Sequence, residues 1–299
     1  MTNYLQAIKT RTSVRTYAPK PLEDDIRTAL ETLCREKAVG PFGNTVRLKL
    51  LDLGTLTQRE LKGLGTYGTI RGASLYILAA VKEEKGALED VGFCLEKVIL
   101  KATSLGLGTC WLGGIFRRSS FARQMQLAEG ELLPAITPVG YPAEKPSLVE
   151  RAMRLGTRAR RRKPWEELFF QADGKTPLPE AEAGPYQDVL DAVRQGPSAS
   201  NRQPWRILKG RDGFRLFLSE LTWYNNILGK IKLQDMDMGI AMCHFELTAK
   251  ELGLEGSWEP VNPPAEVQGD GIRSGSVPGT SPQPIPDALK PIADWVPLK

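Results

Sequence analysis

Histidine is almost missing from this chain: His244 is the only one in 299 residues. A histidine-based triad or a zinc centre is therefore hard to assemble. Cysteine is scarce as well. Cys34, Cys94, Cys110 and Cys243 stand far apart, with no CxxC pair and no metal-ligand spacing. That pattern reads as reduced thiols in a cytoplasmic protein. No apolar run approaches the length of a membrane span; LYILAAV (75–81) is strand-sized. The start, MTNYLQAIKTRTS, has no apolar stretch of the signal-peptide kind. No GxGxxG follows a strand-like run, so a dinucleotide held in a Rossmann turn is not expected. Charge of one sign is also modest, a net +5. That suits small anionic ligands better than nucleic acid.

What is present suits a sizeable core, with 41% hydrophobic and 25% charged residues. The length predicts two domains or one large two-part domain. The sequence also repeats itself. DVGFCLEKVILKATSLGLGTCW (90–111) lies over the stretch from Asp237 to Trp258 without a gap. Asp90 meets Asp237, Gly92 meets Gly239, Leu100 meets Leu247, and Leu105-Gly106-Leu107 meets Leu252-Gly253-Leu254. Each copy reads as a helix ended by a glycine. Upstream, residues 25–44 resemble residues 186–201, a short helix running into a Gly-Pro loop, and strand-like runs follow both. The expected fold is an α+β sandwich in two repeated halves. The halves are 1–170 and 186–299, with a linker over 171–185 and a Pro/Gly-rich tail that closes on a short strand near ADWV.

The second half carries GPSASNRQPWRI (196–207). Small hydrogen-bonding residues there stand before one tryptophan. With RTSVRTYAPKPL (11–22), GLGTCWLGGIF (106–116), VGYPAEKP (139–146) and ARRRKPWEEL (159–168), this resembles the nitroreductase family of flavin mononucleotide (FMN) enzymes. The duplication further resembles a single-chain form of the thermophile-type subfamily. The resemblance implies a flavin held by segments from two halves. The first half keeps RTSVR but has GPFGN in place of the serine-rich loop; the second keeps the loop but lacks RxSxR. One flavin per chain in a fused pseudo-dimer follows as the expectation, either monomeric or in a further homo-oligomer.

Residue roles carry over from the same resemblance. Arg11 and Ser13 match phosphate-holding positions, with Thr12 between them also taken as cofactor-binding, and Arg161 and Arg162 of the basic run match the phosphate-binding basic pair. Arg15 matches the position beside the flavin pyrimidine edge, where a cation favours the reduced ring. Trp111, Leu112, Gly113 and Gly114 match the turn passing flavin N5. Pro197, Ser198, Ala199, Ser200 and Asn201 match the loop that approaches the ring and ribityl chain. Gln203 and Trp205 read as residues that fix that loop. KGLGTYGTIRGAS (62–74) lacks the family's asparagine, and Tyr67 or the Gly68 backbone is the expected substitute. His244 reads as a helix-surface or half-buried residue, and Met236, Met238 and Met242 as packing. The function implied is NAD(P)H-dependent reduction of nitroaromatic, quinone or related small-molecule acceptors in two strokes, with the flavin doing the chemistry. The alternative is a flavin or nucleotide binder without turnover. RARRRK (158–163) has no interleaved aromatics and no recognition module, so neither nucleic acid nor membrane is an expected partner.

Overall fold

The computed structural model describes residues 2–156, 161–220, 230–261 and 289–298. The chain divides into two compact units, Met1–Arg160 and Arg161–Lys299. The boundary thus falls ahead of the expected end of the first half at 170. Residues 161–170, expected in the first half, and the expected linker 171–185 both fall in the second unit, whose sheet Phe169–Gln171 joins as a strand. Residues 158–160 of the basic run and most of the Pro/Gly-rich tail lie outside the described residues.

In the first unit, helices α1 (Tyr4–Thr10) and α2 (Asp24–Arg35) precede strands β1 (Ala38–Val39) and β2 (Thr45–Asp52). Then come α3 (Gln58–Gly63), β3 (Leu75–Lys82), α4 (Ala87–Ser104), β4 (Gly108–Thr109), α5 (Arg118–Met125), β5 (Glu131–Gly140) and α6 (Leu148–Gly156). The strands form one sheet in the order β1-β2-β3-β5-β4. β3 is buried along nearly its whole length, so both faces of the sheet are covered. Tyr76, Leu78 and Ala80 pack with Phe116, Phe121 and Met125 on one face. The alternate residues of the strand turn to the other face, where α4 lies with fourteen buried residues. α4 stops because Gly106 adopts φ +78. The Leu107 N–H then bonds the Ala102 carbonyl and the Gly106 N–H bonds Thr103, a Schellman close.

The second unit contains β6 (Phe169–Gln171), α7 (Gln187–Gln195), β7 (Trp205–Lys209), β8 (Phe214–Ser219), α8 (Leu233–Glu251), β9 (Gly256–Pro260) and β10 (Leu289–Pro297). Its sheet runs β6-β7-β8-β10-β9. The run near ADWV is therefore an internal strand of nine residues rather than a short closing one. Its Asp294 meets Arg215 on β8 in a two-pronged pair at 2.6 Å. α8 ends as α4 does, with Gly253 at φ +73 and the Leu254 N–H on the Ala249 carbonyl. His244 departs from expectation. It is fully buried, with Nδ1 2.9 Å from the Ala192 carbonyl of α7. A satisfied ring nitrogen is what allows it there. The three methionines of α8 are buried packing, and all four cysteines are buried and outside any disulfide.

Candidate functional site

In the first unit the site grows from the segment after α1. Residues 13–17 are stitched on both sides: the Val14 N–H bonds the Thr109 carbonyl at 2.8 Å, and the Arg71 N–H bonds the Arg15 carbonyl at 2.8 Å. An extended segment turns alternate side chains to opposite sides. Arg11, Ser13 and Arg15 share one side, and buried Val14 the other; Thr12 is exposed. Gly108 is required beside Val14, because a Cβ there would lie 2.8 Å from the valine side chain.

The Arg11 side chain is only 5% exposed, and Glu96 of α4 is 4.0 Å away. Arg11 Nε and Nη1 and Arg15 Nε and Nη1 are buried without a hydrogen-bond partner. Buried guanidinium donors are seldom left unanswered, so these four donors mark a place for an anion. The same convergence is felt at Cys110 beneath them. Burial pushes its thiol up, while the Arg15 and Arg11 charges and the Ser13 hydroxyl pull it down.

Several residues that sequence reasoning missed hold this cluster. Glu96 accepts the Trp111 indole N–H at 2.6 Å, which fixes the ring of the expected N5 turn. Glu150 on α6 is buried. It takes the Arg15 N–H at 3.2 Å, the Thr16 hydroxyl at 2.8 Å and Arg154 at 2.6 Å. Arg154 in turn donates to the Ser13 carbonyl at 3.1 Å. Arg118 braces the turn from below, donating to the carbonyls of Gly113, Leu133 and Pro134. The signal for these was weak. A lone acid or arginine on a helix has no motif, and only the fold brings it to the RTSVR segment.

The turn itself is tied down by Leu112, which exchanges both backbone bonds with Ile136 at 3.0 Å. Gly113 and Gly114 follow in an open bend. Tyr67 stands 68% exposed at φ +50, followed by Gly68 at φ +73. Its loop is docked at both ends, by the Arg117 N–H on the Gly65 carbonyl and by Arg71 on Arg15.

The second unit carries the PSASN loop after α7. Ser200, Asn201 and Gln203 all sit at φ near +50, a conformation costing about 1 kcal/mol or more for each residue with a side chain. A dense set of bonds holds it. Ser198 Oγ accepts the Gln203 N–H at 2.8 Å, and Asp237 Oδ1 accepts the Ala199 N–H at 2.9 Å. Gln203 Oε1 accepts the Lys163 N–H at 2.8 Å, and Asn201 Nδ2 reaches the Arg161 carbonyl at 2.9 Å. Arg162 donates to Asn201 Oδ1 at 3.3 Å and to the Gln195 carbonyl at 3.0 Å. Arg161 and Arg162 thus lie against this loop of the second unit, and within the first unit it is Arg154 that reaches Ser13. Pro197 is half-buried, and Trp205 is fully buried under Gly196. Gln203 and Trp205 accordingly fix the loop.

The first unit has a counterpart at its Gly-Pro loop. Asp90 Oδ1 accepts the Phe42 N–H at 2.9 Å and Oδ2 accepts the Asn44 N–H at 2.8 Å. Gly40 leaves no room for a Cβ beside that carboxylate. Burial raises both acids. Asp237, with one bond from Ala199, is pushed well above the ordinary carboxylate range; three bonds to Asp90 oppose the effect there.

Among the described residues no group of His, Cys, Asp and Glu is placed to hold a metal ion. No helix among them is long and apolar enough to cross a membrane.

Comparison with known proteins gives related structures and a family. A "putative nitroreductase" from Thermotoga maritima MSB8 superposes with a TM-score of 0.57 at 19% identity, covering 98% of this chain and 93% of that one. That likeness establishes the fold. An FMN-dependent nitroreductase from Clostridium difficile R20291 aligns at TM-score 0.37 and 20% identity, over 46% of this chain and 87% of that one. A nitroreductase with bound FMN from Bacteroides fragilis NCTC 9343 aligns at TM-score 0.36 and 18% identity, over 50% and 92%. No curated protein matches the chain. Residues 3–249 match the family described as "Putative TM nitroreductase". The chain belongs to that nitroreductase family.

Proposed function

We propose that this protein is an FMN-dependent oxidoreductase that takes electrons from NAD(P)H and delivers them to nitroaromatic, quinone or related acceptors in alternating strokes. The observation that carries the reading is the set of four buried guanidinium donors on Arg11 and Arg15, beside Ser13, that have no hydrogen-bond partner, with Glu96 a distant 4.0 Å from Arg11 Nε. The residues fit the cofactor. A phosphate monoester with nearly two charges is the ligand such donors match best, and Arg154 adds a third cation against Ser13. Bound flavin would supply the two-electron chemistry, accepting hydride from reduced nicotinamide and passing it on.

The protein's own part is position and polarity. Arg11 and Ser13 hold the phosphate, and Arg15 places positive charge at the pyrimidine edge. The Trp111–Gly114 turn, braced by Arg118, offers backbone N–H groups at the reacting edge, with glycines that permit close approach. Exposed Tyr67 takes the place of the family's asparagine.

We further read the chain as a fused duplicate with one flavin. The matching order of four strands in each sheet, β2-β3-β5-β4 and β7-β8-β10-β9, and the matching carboxylates at the two Gly-Pro loops support this; the fifth strands differ, β1 running antiparallel to β2 and β6 parallel to β7. The test is anaerobic addition of NADPH or NADH to the flavin-loaded protein. Bleaching within the turnover time, followed by recovery on adding menadione or nitrofurazone, is the expected result. Bound flavin that stays oxidised under both donors would leave a binding protein and end the oxidoreductase reading.

A further inference from the structure

Arg118 opens α5 as a cation that no acid answers. Among the described residues it makes no ion pair, and burial, opposed by no acid, holds its guanidinium below the usual arginine range. It keeps its charge all the same. Its donors are spent on backbone oxygens. Nε takes the Leu133 carbonyl at 2.9 Å, and Nη2 takes the Pro134 carbonyl at 3.1 Å and the Gly113 carbonyl. Its Cζ lies 4.7 Å over the Phe116 ring.

The place is built by a bulge. Leu133 and Pro134 of β5 together stand opposite Ala80 of β3, between the pairs Val81↔Leu132 and Ala79↔Ala135. Arg118 takes both carbonyls of that bulge and ties the Gly113 carbonyl to them. A carbonyl and the N–H that follows it belong to one planar trans peptide and point opposite ways. With the Gly113 carbonyl held on Arg118, the Gly114 N–H is therefore aimed away from it. Gly114 is exposed, and neither the Gly113 nor the Gly114 N–H has an acceptor among the described residues. Leu112, one step back, is pinned by its exchange with Ile136. A cationic donor on the carbonyl also polarises the amide and strengthens its N–H as a donor.

We infer that Arg118 is a positioning residue for the reaction: it sets the Gly113–Gly114 peptide so that the Gly114 N–H meets flavin N5, and its charge favours the reduced ring. This deepens the proposed function and rests on the place given there to the turn. A hydride brings two electrons and one unit of negative charge to the ring, and the nicotinamide is oxidised by the same two electrons. A fixed cation nearby favours the charged product.

The test compares FMN with 5-deaza-FMN, which carries C–H in place of N5. Binding to the full chain freed of flavin is read by calorimetry. The parent should prefer FMN by about fivefold or more, as expected for one good hydrogen bond. Arg118→Gln should bring the two within about twofold. The midpoint potential of bound FMN, read against a reference dye, should fall in Arg118→Gln by about 30 mV or more, a tenfold shift in a two-electron equilibrium. Arg118→Lys keeps the charge and should lose less than half of that. Equal binding of the two flavins by the parent overturns the inference without any variant. So does Arg118→Gln with the parent's preference and potential, which would leave Arg118 a brace alone. A lysine variant whose potential falls as far as that of the glutamine variant also overturns it, because geometry and not charge would then set the effect. If neither nicotinamide reduces the bound flavin, the oxidoreductase reading fails, and the comparison of the two flavins, which needs no turnover, still decides the role of Arg118.

Discussion

Asp90 and Asp237 offer a paired perturbation with opposite expected outcomes. Both stand in the first turns of a long buried helix, and both accept backbone N–H groups from a Gly-Pro loop. Asp90 uses both oxygens, for Phe42 N–H at 2.9 Å, Asn44 N–H at 2.8 Å and Asn44 Nδ2 at 2.9 Å. Asparagine has one acceptor oxygen and one donor group. In either orientation, Asp90→Asn sets an NH2 against at least one buried donor. An orphaned buried donor costs about 1–3 kcal/mol, which is about 5- to 150-fold in the opening equilibrium. Asp237 differs. Oδ1 takes the Ala199 N–H, and Oδ2 is buried with no hydrogen-bond partner. Asp237→Asn keeps the useful acceptor and should cost less than about 0.7 kcal/mol, near threefold.

The sign of the pH effect agrees. Burial raises the Asp237 pKa well above its ordinary value. The folded state therefore holds that proton to higher pH than the unfolded state does. Stability is lost as pH climbs from the unfolded pKa through the folded one, and asparagine removes that loss. Hydrogen exchange followed by mass spectrometry reads both loops. Peptides covering 40–44 should exchange about tenfold faster or more in Asp90→Asn, and peptides covering 198–203 should stay within about threefold in Asp237→Asn. Equal acceleration in both variants would refute the reasoning, because it would mean that Asp237 works as an ionised, fully bonded carboxylate.

Two further outcomes follow from the same geometry. Arg11→Lys keeps the charge but loses the paired Nε and Nη donors; flavin affinity, read from the fluorescence of released flavin, should fall about 10- to 100-fold, and Arg11→Gln should fall further. The thiols should be silent. Burial pushes Cys34 and Cys94 up to about 12, so a disulfide reagent at pH 8 should titrate almost no thiol in the native protein and all four cysteines after denaturation.

The parts of the fold that were legible were those written in period and punctuation. VRLKLLDL and LYILAAV became β2 and β3, and the two Leu-Gly-Leu triplets became matching helix ends at Gly106 and Gly253. The helix copies aligned through Asp90 and Asp237 became α4 and α8, and each acid reached its loop. Long-range partners were not legible. Glu150 and Arg154 look like ordinary charges of an amphipathic helix, until folding sets them on Arg15, Thr16 and Ser13. The unit boundary was misjudged because KPWEELFFQ carries no turn signal. Its strand adds parallel to β7 by backbone pairing, which side-chain pattern does not announce. His244 was misplaced because one carbonyl, from Ala192, makes full burial tolerable.

The most direct test of the central claim is the flavin content of the protein incubated with FMN and freed of excess. The account predicts a yellow protein absorbing at about 450 nm, carrying about one flavin per chain, and losing it when Arg11 and Arg15 are both changed to glutamine. A colourless protein, or one that keeps its flavin in that double variant, would contradict the assignment of the buried arginine donors to the cofactor.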